Sequence, residues 1–348
     1  MRPALVVPPK PVRGDRVAIV SPSWAGPAIF PDLHELAMRR IRDELGLIPV
    51  EYPTTRRLGA DARSRAADLM SAFADPRIRA VFATVGGDDQ LTVLPHLDAR
   101  VVAANPKPFF GYSDNTNLLN WLWNLGIVGF HGGSTMVHLG RGGALHPISI
   151  GSLRHALFSN DVVEIRPVDE FSEDEIAWDD PESLTTAPPA RLSDGWSWHG
   201  PAHVIEGPTW GGNLEVLHWI LAAGRWMRPV DDYEGCIFVI ETSEEMPAAG
   251  DVHRMLRNMG ERGLLGQCSA LVVGRPKASS RESPRTDAQR VAYVDAQRDA
   301  VIRAAEAYAP GIVIVFGLDI GHTDPQWIVP YGGLMRIDAA DRSIHVTY

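Results

Sequence analysis

Six short apolar runs constrain the fold of this chain more than any other feature: RVAIVSPS (16–23), AVFATVGG (80–87), PFFGYSD (108–114), CIFVIETSEE (236–245), ALVVGRP (270–276) and GIVIVFGLDIGH (311–322). Most are continuous rather than alternating, as expected of strands covered on both faces of a sheet. Helical patterns lie between them. Residues 31–46 place Leu33, Leu36, Ala37 and Ile41 on one stripe, and 61–75 and 286–309 behave similarly. Strand alternating with helix predicts an α/β first half built on a parallel sheet. The pattern breaks over 160–210, which is acidic and then rich in Pro, Ser, Thr and Trp. The expected division is therefore 1–160, a linker and loop over 161–205, and 206–348, and 348 residues suffice for two domains. The second half restarts at GGNLEVLHWILAAG and ends in a hairpin pattern, LMRIDAADRSIHVTY.

Charge and motif content exclude several classes of function. A formal net charge of −10 offers no basic stripe for a nucleic-acid backbone. Asp161–Glu182 alone holds ten acidic residues against one Arg166, which suits either a solvated linker or a flap that repels anions from a cleft. No apolar run approaches 18 residues, and the start lacks the continuous apolar core of a secretory leader. Cys236 and Cys268 are the only cysteines and sit in no CxxC, so the expectation is a reducing cytoplasm without disulfides. The twelve histidines form no HExxH or HxH, and neither GxGxxG nor a P-loop motif occurs. No metal, cofactor, nucleic-acid or membrane partner is expected.

Three strand ends carry possible chemistry, which is where α/β proteins collect functional groups. Gly111-Tyr112-Ser113-Asp114 follows an apolar strand and precedes a helix. That arrangement fits a nucleophile elbow, although Asn115 stands where a second glycine is usual, and it equally fits a helix cap by Ser113 or Asp114. Thr84-Val85-Gly86-Gly87-Asp88-Asp89 is a glycine turn whose amides can approach a ligand, or simply a turn. His322 follows the last strand run and can face a cleft as a base, while Glu241 closes CIFVIE as a carboxylate able to orient an imidazole. His131-Gly132-Gly133-Ser134 competes as an esterase-like oxyanion loop, but Ser134 lacks a strand-turn-helix frame.

Taken in order, GDRVAIVSPS, TVGGDD, GYSDNT, FHGG, GGNLEVL, IETSEE and FGLDIGHTDPQWIVPYG make the chain similar to the LD-carboxypeptidase family of serine peptidases, which includes the microcin self-immunity proteins. ETSEE, GGDD and GHTDP resemble the immunity branch more than the muropeptide enzymes. The resemblance implies an N-terminal Rossmann- or flavodoxin-like domain, a C-terminal swivelling β/β/α-type domain and an active site between them. It implies Ser113 as nucleophile, Glu241 as acid and His322 as base, with oxyanion amides at Gly86 or Gly87 and at Asp114. Trp196 and Trp198 sit in the kind of loop that branch uses to stack on a nucleotide base, and Asn213 is a further implied substrate contact. The expected substrate is a small peptide or peptidyl-nucleotide conjugate and the expected assembly a homodimer. Muropeptide trimming and a non-catalytic ligand-binding module remain the alternatives.

Overall fold

The computed structural model of the protein describes residues 5–174 and 176–348. All six runs form strands, and they divide between two sheets. In the first sheet, Gly129–His131, Phe109–Gly111, Ile78–Ala83, Arg16–Val20 and Ile48–Glu51 lie parallel in that spatial order. Val329–Tyr331, from near the end of the chain, adds an antiparallel edge beside Gly129–His131. The second sheet has eight strands. Val204–Asn213, Cys236–Glu241, Cys268–Gly274 and Val313–Leu318 run parallel at its centre, and antiparallel strands complete both edges. The final hairpin, Leu334–Asp338 with Ser343–Thr347, forms as its sequence suggests.

Local signals explain the helix boundaries. Pro31–Asp43 buries Leu33, Leu36, Ala37 and Ile41. Ala62–Ala74 begins where the Asp61 carboxylate accepts the Ser64 amide at 2.8 Å. Asp287–Tyr308 starts with a reciprocal capping box between Thr286 and Gln289. The stretch expected as linker and loop, 161–205, also contributes structure: Val162–Ile165 and Ser197–His199 form the two edge strands of the second sheet.

One helix joins the halves. In Thr116–Asn124 every residue from Thr116 to Trp123 is buried, so no solvent face remains. Its apolar side chains share one cluster with residues of both sheets. Trp123 stacks on Tyr233 with ring centroids 5.1 Å apart and meets Trp210 at 6.3 Å. Polar side chains fix the same contact: Trp210 Nε1 donates to Asn120 Oδ1 at 3.1 Å, and the Asn213 amide donates to Thr116 Oγ1 at 3.0 Å. Such a seam is sensitive to truncation. Trp123→Ala is expected to lower the unfolding free energy by about 3–5 kcal/mol, as measured by urea denaturation.

Candidate active site

Ser113 follows the strand Phe109–Gly111 and begins a short 3-10 turn, Ser113–Asn115, that leads into the buried helix. Its φ is 61°, a left-handed conformation that costs a non-glycine residue about 1–3 kcal/mol. Neither the turn nor the helix is capped by a side chain, so Ser113 is not held there as a cap.

The capping role expected of Asp114 is not taken up either. Its side chain and that of Asn115 instead bind neighbouring strand-end loops. The Asp114 carboxylate accepts from Ser23 Oγ, from the Gln90 amide at 2.8 Å and from Asn117 Nδ2 at 2.8 Å. Asn115 Nδ2 donates to the Tyr112 carbonyl at 3.0 Å and the Val85 carbonyl at 3.2 Å. These bonds draw the loops after three parallel strands around the serine. Gly86 packs directly against it: a Cβ added there would lie 3.0 Å from Ser113 Cβ, 3.1 Å from its Oγ and 3.4 Å from the Asp114 amide. Only a glycine leaves that space open.

The other two groups come from the second sheet. Glu241 ends a wholly buried strand, Cys236–Glu241. His322 lies in the loop that leaves Val313–Leu318 and crosses to Val329–Tyr331 in the first sheet. The crossing is tight, because Gly321 has φ 87° and a Cβ there would fall 2.6 Å from Glu241 Oε2. His322 Nδ1 is 2.7 Å from Glu241 Oε2, and its Nε2 is 3.0 Å from Glu244 Oε2. Behind the pair, His131 Nε2 is 3.7 Å from Glu241 Oε1, and the Tyr112 ring lies 5.0 Å from that of His322.

Burial alone would make the imidazole less basic and both carboxyls less acidic. Their mutual attraction reverses all three effects. The Glu241 charge and hydrogen bond, followed by those of Glu244, raise the His322 pKa well above 6.5. The His322 charge and hydrogen bond, with His131 close behind, hold Glu241 down at about 2, and the bond to His322 does the same for Glu244.

Ser113, Gly86, Gly87 and His322 line one cavity of about 590 Å³. The acidic stretch forms one of its walls: Ser172 exchanges backbone bonds with Asp324, and Trp178 packs edge-on against Phe30 at 5.4 Å. Trp196 and Trp198 do not line this cavity. Trp196 Nε1 donates to the buried Asp319, and Trp198 lies on a strand paired with Val313–Leu318, so both are part of the framework. Asn213 is buried too, where its Oδ1 caps the helix Leu214–Ala223. The tryptophans that do line it are Trp24 and Trp178, with Tyr112 as a third aromatic. Ser134 is fully buried outside the cavity, and the Gly132 amide donates to the Gly111 carbonyl, so the HGGS loop serves the sheet. The sequence assigns no site role to Glu244 or Trp178 and names His131 only within the competing oxyanion loop. Their signals were an extra acid after Glu241, one tryptophan inside an acidic run, and a histidine at a strand end.

The linked charges set a pH window for stability. The pKa of His322 rises on folding, so its contribution is complete below about pH 6.5 and is lost as pH rises through the folded value. The carboxyls are depressed, so their contribution is complete above about pH 4.5 and is lost as pH falls towards 2. The stability difference between the wild type and His322→Ala should therefore peak between those limits in urea titrations. A flat profile would show that the folded imidazole is uncharged.

Comparison with known proteins finds relatives for both halves of the chain. The model of the LD-carboxypeptidase N-terminal domain matches residues 17–132, and that of the C-terminal domain matches 206–337. The microcin C7 self-immunity protein MccF of Escherichia coli is 26% identical over 292 residues, covering 82% of this chain and 78% of that protein. The murein tetrapeptide carboxypeptidase of Pseudomonas aeruginosa is 34% identical over 131 residues, covering 35% of this chain and 40% of that one. Among solved structures, the MccF-like protein of Streptococcus pneumoniae, in complex with AMP, superposes with a TM-score of 0.83 at 27% identity, covering 96% of this chain and 99% of that one. With both halves matched and the order of segments kept, the chain belongs to the LD-carboxypeptidase family of hydrolases.

Proposed function

We propose that the protein is a serine amidase that acts through Ser113, His322 and Glu241 on an amide at a C-terminal residue, with an aminoacyl- or peptidyl-nucleotide conjugate as the substrate class. One observation carries this reading: a strained serine and a histidine bound to a buried glutamate face a common cavity from opposite sheets. Ser113 Oγ attacks the carbonyl carbon while its proton passes to His322 Nε2, with Glu241 holding Nδ1. The oxyanion forms beside the amides of the Gly86–Gly87 turn and of Asp114. Collapse expels the amine with the proton from His322, and water then hydrolyses the acyl-serine. The AMP bound by the Streptococcus pneumoniae relative supports a nucleotide-like leaving group, which Trp24 or Trp178 can stack upon. The reading extends to a cytoplasmic homodimer.

Likeness to the murein tetrapeptide carboxypeptidase supports a second substrate, a murein peptide with a terminal D-residue. Assay of one preparation on an aminoacyl-sulfamoyl-adenosine and on a murein tetrapeptide separates the two. Ser113→Ala should keep the fold, lose labelling by a fluorophosphonate and lower hydrolysis by about 10⁶-fold. Full activity in that variant would rule out Ser113 as the nucleophile. Gly86→Ala, which presses a methyl group against the serine, should reduce kcat by roughly 100-fold with little change in stability.

A further inference from the structure

In the resting site, the nitrogen that must receive the Ser113 proton is already occupied. His322 Nδ1 is committed to Glu241, and Nε2 lies 3.0 Å from Glu244 Oε2. Hydrolysis therefore requires the Glu244 carboxylate to leave Nε2. The turn that carries it is fixed, because Glu215 Oε1 accepts the Ser243 amide at 2.9 Å and the Ser243 hydroxyl at 2.7 Å. The Glu244 side chain itself is 58% exposed, so it can swing while the backbone stays in place.

A carboxylate leaves a cation most readily for another cation. The cavity wall offers none that is free among the described residues. Besides His322 its one cationic side chain is Arg141, whose Nε is bound to Asp324 at 2.7 Å. Asp88 and Glu245 add further negative charge, while Glu173 and Asp174 are paired with Arg290 behind the wall. The cation must therefore arrive with the substrate. It must also arrive close to the reacting carbon, because Glu244 occupies the nitrogen that has to receive the Ser113 proton. An ammonium on the carbon next to the scissile carbonyl meets both conditions.

Resting on the reading of Ser113 as nucleophile, we propose that Glu244 is a specificity residue: it takes up the free α-ammonium of an aminoacyl substrate, the Nε2 proton of the imidazolium it had held passes to water, and Nε2 is left free to accept the Ser113 proton. The preferred substrates are then amides of an unblocked aminoacyl group. N-acylated substrates leave the base occupied, and acidic acyl groups meet a wall of like charge.

The test compares wild type and Glu244→Gln on alanyl-, N-acetylalanyl-, lysyl- and glutamyl-sulfamoyl-adenosine. The wild type should favour alanyl over N-acetylalanyl by roughly 10- to 100-fold in kcat/KM, the worth of one charge-assisted hydrogen bond. Glutamyl should be the poorest of the three unblocked substrates. In Glu244→Gln the preference for a free ammonium should collapse, turnover of the N-acetyl substrate should rise, and the acidic limb of its pH–rate profile should move to lower pH. The profile is informative because Glu241, Glu244, the Tyr112 ring and, behind them, His131 are the titratable groups facing His322. Equal turnover of alanyl and N-acetylalanyl by the wild type would overturn this proposal alone, as would a uniform loss on all four substrates in Glu244→Gln. Failure of the wild type to hydrolyse any member, together with absence of fluorophosphonate labelling, would overturn the nucleophile reading and this one with it.

Discussion

The site depends on burial of the helix Thr116–Asn124 between the two sheets. A helix with no solvent face cannot pivot on one neighbour without opening a gap against another, and well-packed interiors resist such gaps. Ser113 is joined to this helix through a single 3-10 turn, so its position is fixed relative to both sheets. The same packing sustains the left-handed backbone at Ser113, whose local cost is small beside the burial of Leu118, Leu119, Leu122 and Trp123.

Electrostatics supplies the second constraint. Glu241 is almost fully buried, and a lone carboxylate there would be neutralised. The His322 charge keeps it ionised, and the crossing loop that delivers His322 makes close approach possible at Gly321. Packing and charge thus act on the same short segment. The loop must cross between the sheets to reach Val329–Tyr331, and in crossing it brings its imidazole against the buried acid.

The strands, main helices and final hairpin were legible in the sequence because periodicity and capping are local properties. Ser113, Glu241 and His322 stood out because each follows a run of buried strand residues. The elbow alone left a cap equally open, and only the backbone conformation and the use of Asp114 by Ser23 and Gln90 removed that reading. Trp196 and Trp198 lie away from the cavity for a physical reason: which aromatic in an irregular stretch faces a cavity is decided by tertiary contacts. The Asp319 carboxylate, 123 residues away, holds Trp196, while Phe30 packs against Trp178. Glu244 was hidden likewise, since nothing local distinguishes a carboxylate on a catalytic imidazole from a solvated one.

The strand Val329–Tyr331 closes a sheet begun some three hundred residues earlier in the chain. During synthesis the first half emerges with Gly129–His131 as an open edge, able to pair with other chains until its late partner arrives. The segment that covers this edge directly follows the loop bearing His322. Completion of the sheet and delivery of His322 are therefore one event, and a nascent or truncated chain carries Ser113 without that imidazole across the cavity.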